Sequence, residues 1–192
     1  MALNADNVIV ALTGAALTAP KGTTAPTNTT AAWGVGWVDL GYISEDGITE
    51  TPNDETNTIP AWQTGATVRE DITGSKTTHQ FPVIECTRTA LELYYPGSLV
   101  EGWDADGHGA ASMEVRSPRL QRRAFGFDVI DGDRIIRWVV PDGSVSERGE
   151  LVYKNGDPIG FDLTITAYPD SDGVHTVRFF SDLAGLPTTD PA

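Results

Sequence analysis

The sequence predicts a mainly β fold: a β-sandwich or barrel-like domain with one short α-helix packed on its sheet and with long loops. Three observations carry this. Phe161, Leu163, Ile165 and Ala167 alternate with Asp162, Thr164 and Thr166, the period-two mark of a strand with one dry face and one wet face. Asp-Gly and Asn-Gly pairs stand between apolar runs at Asp46-Gly47, Asp131-Gly132 and Asn155-Gly156, where tight hairpins need residues that tolerate positive φ. A strand pattern changes directly into a helix pattern at one stretch, residues 75–97.

Taken in order, residues 7–12 (Asn-Val-Ile-Val-Ala-Leu) form a β-branched run that reads as a first strand. Residues 14–30 are small and polar with two prolines, an expected extended loop or arm. Trp33, Val35 and Trp37 alternate with glycines, and residues 41–44 lead into the turn at Asp46-Gly47, so a hairpin is expected there. Residues 52–60 read as a second polar loop. Residues 62–72 and 78–85 then read as paired strands with Gly74-Ser75 as their turn. Pro82 offers no ladder N–H, so its strand should lie at an edge or break locally.

The helix follows. Thr87 or Thr89 can cap it, Glu92 stands three after Thr89 as in a capping box, and Ala90, Leu91, Leu93 and Tyr94 make an apolar stripe. Pro96-Gly97 ends it. So short a helix is unstable alone in water, so Leu91 and Tyr94 are expected to anchor it on the sheet. Residues 102–109 read as a turn-rich connector and 111–116 as a short strand. Residues 124–130 and 134–140 form a hairpin, and Pro141-Asp142-Gly143 turns the chain again. Residues 145–153 and 159–168 form another hairpin, 174–180 close the sheet, and 187–192 are a loose tail. No internal repeat is visible, and residues 1–192 are expected to make one domain.

Composition narrows the function. With 13 basic against 27 acidic residues, net −14, the surface is unsuited to gripping phosphates, because nucleic-acid affinity comes largely from Lys and Arg displacing counterions. A single cysteine, Cys86, excludes an internal disulfide and is expected to be a packing residue. Residues 8–17 are mildly apolar but follow no basic segment, so no signal peptide is expected. No apolar run is long enough to cross a membrane as a helix.

Catalytic and metal motifs are missing. His79, His108 and His175 lie far apart and belong to no ligand-spaced pattern. Asp104-Ala105-Asp106-Gly107 opens like a calcium loop but has no closing glutamate. Residues 73–77 resemble a phosphate loop only superficially, since Lys76 does not follow a glycine. No enzyme, cofactor or metal is therefore expected. Trp33, Trp37, Trp62, Trp103 and Trp138 can serve as core anchors or as a platform for sugar rings, which keeps a secreted or surface β-sandwich module for carbohydrate as the alternative reading. Arg116, Arg119, Arg122 and Arg123 are the one cationic cluster, expected to face an acidic neighbouring subunit.

The order of these segments resembles a known family. After a Pro-containing N-terminal loop, Trp37-Val38-Asp39-Leu40-Gly41-Tyr42-Ile43-Ser44 precedes Ile59-Pro60-Ala61-Trp62-Gln63 and Val68-Arg69. The helix ending Leu91-Glu92-Leu93-Tyr94-Tyr95 follows, and Gly160-Phe161-Asp162-Leu163-Thr164-Ile165-Thr166-Ala167-Tyr168-Pro169 closes the pattern. Over residues 8–182 this resembles the major tail (tail tube) proteins of long-tailed, non-contractile bacteriophages of actinobacteria. The resemblance implies a structural subunit whose hexameric rings stack into a negatively charged conduit for DNA ejection into the host. The subunit would be made in the host cytoplasm and reside in the virion tail. Its partners would be further copies of itself, the tape measure and the tail terminator, with DNA passing through without specific binding and no membrane contact. The same resemblance implies that Asp162, Thr164 and Thr166 face the lumen.

Overall fold

The computed structural model describes residue 3, residues 8–103 and residues 109–181. Ten strands and one helix follow in the order β1 (Thr13–Pro20), β2 (Val38–Asp39), β3 (Thr49–Pro60), β4 (Thr67–Val83), α1 (Arg88–Tyr94), β5 (Leu99–Glu101), β6 (Ser112–Glu114), β7 (Arg123–Asp131), β8 (Arg134–Arg148), β9 (Phe161–Ala167) and β10 (Val177–Phe180). The main sheet runs β2-β1-β7-β8-β9-β4-β3, with β10 also on β8, and all its pairings are antiparallel.

β8 folds this sheet into two layers. Its first half pairs β7 on one side and β10 on the other, whereas from Gly143 onward it pairs β9. Gly143 is the crossover, opposite both Arg123 and Ala167. Register shifts flank it, between Arg123 and Phe125 on β7 and between Val145 and Glu147 on β8. A strand that changes sheets through such irregularities is how a sandwich turns its corner. Phe125, Phe127, Trp138 and Val140 from one layer thus meet Phe81, Val83, Leu163 and Ile165 from the other in one core. Phe81 and Phe127 meet edge to face across it, with ring centroids 5.3 Å apart.

The alternation expected in β9 is present: Phe161, Leu163, Ile165 and Ala167 all face this core. The hairpin at Asp131-Gly132 is present too, with Gly132 at φ 59°. Elsewhere packing overrides the local pattern. The first strand lies at Thr13–Pro20, inside the stretch expected to be a loop, because β7 pairs with it from Thr13↔Ile130 to Pro20↔Arg123. Its small side chains suit this, with Ala16 and Ala19 fully buried where a β-branched residue would crowd. Residues 33–44 form no hairpin across Asp46-Gly47; only the two-residue β2 and an isolated bridge from Ile43 to Val83 form there.

Residues 52–60, expected to be a loop, belong to β3, and Gly74-Ser75 is not a turn. β4 runs straight through it and pairs β3 from Thr49↔Gln80 to Pro60↔Thr67, with a bulge after Glu55. The turn lies at residues 61–66, where Gly65 has φ 69°. Pro82 sits beyond the end of β3, so its missing N–H costs no ladder bond on that side. Likewise Pro141-Asp142-Gly143 lies within β8, and residues 149–160 are irregular, so the second expected hairpin is not formed. The expected tail 187–192, His108 and the stretch 104–107 lie outside the described residues.

Thr87, not Thr89, caps α1: its hydroxyl accepts from the Ala90 N–H at 3.1 Å. Glu92 pairs instead with Arg88 one turn back, so no capping box forms. Ala90, Leu93 and Tyr94 are the buried helix residues, while Leu91 packs half-buried against the core edge. The Tyr94 ring meets Phe161 at 5.5 Å and its hydroxyl donates to the Gly149 carbonyl. Leu93 and Tyr94 thus pack more deeply than Leu91. Cys86, expected to be buried, is exposed at the bend between β4 and the helix.

Candidate functional site: a polar strand face and a projecting hairpin

The outer face of the β9 layer is built by cross-strand rows. Thr51, Thr78, Thr166 and Ser144 stand side by side on β3, β4, β9 and β8, and Thr49, Gln80, Thr164 and Glu147 make the next row. Asp162 adjoins them opposite Pro82, where its Oδ2 accepts from Gln80 Nε2 at 2.9 Å. Asp162 and Thr164 are half-buried and Thr166 is buried, so in the single chain only part of the expected trio reaches water. Gly149 crosses close above Asp162; a Cβ there would lie 2.7 Å from the Asp162 Cβ. The face is rich in hydroxyls and carries the carboxylates of Asp162 and Glu147. Such a surface offers phosphates almost nothing to hold.

Beside this face, β3 and β4 continue as a two-stranded ribbon. From Thr67 to Lys76, β4 pairs among the described residues only with β3. Ten residues at about 3.3 Å each carry the tip on the order of 30 Å beyond the sandwich. Nearly all side chains on this stretch are exposed, including Ile59, Val68 and Ile72. Trp62 at the tip is 97% exposed. Sequence reasoning missed the ribbon because Pro52, Asn53 and Asp54 have turn composition; the usable signal was the threonine alternation at Thr49 and Thr51.

Residues 21–37 are not a free arm. They fold over the outer face of β1, β7 and β8, held by a buried ion pair that the sequence did not announce. Arg137 donates to Asp128 through Nε at 2.6 Å and Nη2 at 2.8 Å, and through Nη1 to the Ala31 carbonyl at 2.5 Å. Trp33 closes the set, donating to Asp128 at 2.8 Å and stacking on the Arg137 guanidinium. Trp33 also packs against Gly126, where a Cβ would approach its ring to 2.2 Å. The pair is thus fully hydrogen-bonded, as a buried pair must be.

The four arginines divide into two kinds. Arg122 binds Asp142 with two 2.6 Å hydrogen bonds and stacks on Tyr168, while Lys21 approaches the same carboxylate at 2.5 Å. The hydrogen bond from Arg122, with Lys21 adding to it, holds the Asp142 carboxyl below its usual range. Arg123 is half-buried, donates to the Thr18 hydroxyl, and has its pKa lowered by burial. Arg116 and Arg119 are exposed, Arg116 beside Glu114 at 2.6 Å. The tryptophans form no common platform: Trp138 is in the core, Trp33 and Trp37 sit together in the covering loop, and Trp62 stands alone. Among the described residues no group of acidic, histidine or cysteine side chains is arranged to hold a metal ion.

A family model described as "Phage tail tube protein" matches residues 1–189 of this chain. Comparison with curated proteins finds no match. Among solved structures, a chain described as "Virion of native gene transfer agent (GTA) particle" aligns over 94% of this chain and 100% of its own, with 9% identity and a TM-score of 0.40. That likeness is too slight to carry an argument.

Proposed function

This chain belongs to the phage tail tube protein family, a structural part of a phage tail, and from that premise we propose that it is a single-domain, non-enzymatic subunit of a non-contractile tail. Its copies close into hexameric rings, and the rings stack into a tube that conducts DNA during ejection. The β3–β4 ribbon carries this reading. A two-stranded ribbon is marginal in water by itself, and this one has exposed apolar side chains, a bare tryptophan and a long free strand edge. A neighbouring copy that pairs with the edge or covers the tip supplies what the single chain lacks.

In the assembled tube the rows around Thr164 and Asp162 line the lumen, where sparse cations and fixed carboxylates let DNA slide without adhesion. Arg116 and Arg119 face a neighbouring subunit, whereas Arg122 and Arg123 support the chain's own fold. Tape measure and tail terminator are the further partners, and the subunit, made in the host cytoplasm, ends in the virion. Reversing Asp162 and Glu147 to lysine together tests the lumen. Tubes should still form, and DNA release from particles carrying the variant should slow; unchanged release contradicts this assignment of the lumen face.

A further inference from the structure

A groove of about 680 Å³ opens at one end of the sandwich, between the start of β1 and residues 41–48. Only Leu17 and Thr18 of β1 pair with β2, so among the described residues Thr13 to Ala15 have a strand neighbour on the β7 side alone. Leu12, Ile43 and Ile48 give the groove apolar walls, and Asp39, Glu45 and Glu85 give it negative charge. Among the described residues no lysine or arginine lines it. The groove therefore suits an extended, apolar and cationic segment.

The chain carries such a segment. Residues 115–120, Val-Arg-Ser-Pro-Arg-Leu, have no regular structure and are exposed throughout, with Val115 at 62% and Leu120 at 70%. Arg116 and Arg119 are the charges between these two apolar ends, and Arg119 makes no ion pair among the described residues. On a chain of net charge −14, this segment combines two exposed cations with two exposed apolar side chains within six residues. It leads into Arg123 at the start of β7, while the groove lies at the other end of β7, where Ile130 pairs with Thr13. The two patches thus stand at opposite ends of a strand of 9 residues, roughly 25 Å apart, and one chain cannot join them.

We propose that residues 115–120 of one copy dock in the β1 groove of a second copy, a head-to-tail contact that repeats from subunit to subunit. It rests on the tail-tube reading and names the surfaces by which copies meet. Arg119 faces Glu45 in the contact, with Val115 and Leu120 against the apolar walls. Unlike surfaces meeting in this way propagate into a ring or a filament, and the opposed charges fix their register.

Charge exchange tests the pairing, using full chains whose melting temperatures verify the fold. Arg119→Glu and Glu45→Arg should each raise the concentration needed for assembly about tenfold or more. Mixing the two variants, or combining both changes in one chain, should restore it. An Arg119→Lys chain should also give zero-length carbodiimide cross-links between peptides holding residues 119 and 45 of different copies. Tubes that form with unrescued variants, or whose groove carboxylates cross-link to Lys76 of the β3–β4 ribbon instead, overturn the docking and leave the tail-tube reading standing. An unmodified chain that forms no oligomer overturns both.

Discussion

A histidine sealed against the stacked rings of Phe127 and Trp138, with neither ring nitrogen hydrogen-bonded among the described residues, has to stay neutral while the sandwich is closed. His79 is 0% exposed, and burial holds its pKa at about 4, against 6.5 for a free imidazole; Glu50 opposes the shift and Arg178 adds to it. The unfolded chain takes up the proton below pH 6.5 and the folded one only near pH 4. Stability is therefore fully present above the higher value and is lost as pH falls between them. Urea unfolding should give a chain about 2 kcal/mol less stable at pH 5 than at pH 7. His79→Phe should remove most of that difference, and an equal difference in the variant contradicts the assignment. That His79 shares a strand face with Phe81 and Val83 was legible, although the residue reads from sequence as a surface or sheet histidine. Its isolation from polar partners was not, since that depends on rings brought from β7 and β8.

At the scale of elements, long-range pairing decided what local pattern left open. The helix was readable because its cap, its stripe and its Pro-Gly stop agree, and a local motif needs no distant partner. The β3–β4 ribbon was not, because its turn-like residues become strand only through pairing with each other, and β1 forms from alanines that gain their place from β7. Within the helix, Leu93 fills the core more deeply than Leu91. Leu93→Ala should cost about 2–5 kcal/mol by the cavity it leaves, read as a lowered urea midpoint, while Cys86→Ala at the exposed bend should leave the midpoint nearly unchanged. The ribbon should behave in the opposite way. Trp62→Ala should leave the melting temperature of the dissociated chain within about 2 °C while weakening assembly, because the side chain touches solvent and not the sandwich. A large drop in melting temperature would place Trp62 in the fold of its own chain.

The whole molecule presents what a self-assembling subunit needs and a solitary one does not. It has a free-edged ribbon, a groove with an open strand side, and a polar face that spans β3, β4, β8 and β9. Its core closes within one chain, so the subunit is expected to fold before it assembles. The tail-tube family was legible only through the order of segments, because a structural subunit has no catalytic signature to read. Copies of this chain are expected to close into rings and stack. Negative-stain electron microscopy of the purified full-length chain, concentrated at neutral pH, tests this most directly. Hexameric rings and hollow tubes built from them are the result expected, and a monomer that stays monomeric at every concentration contradicts the claim.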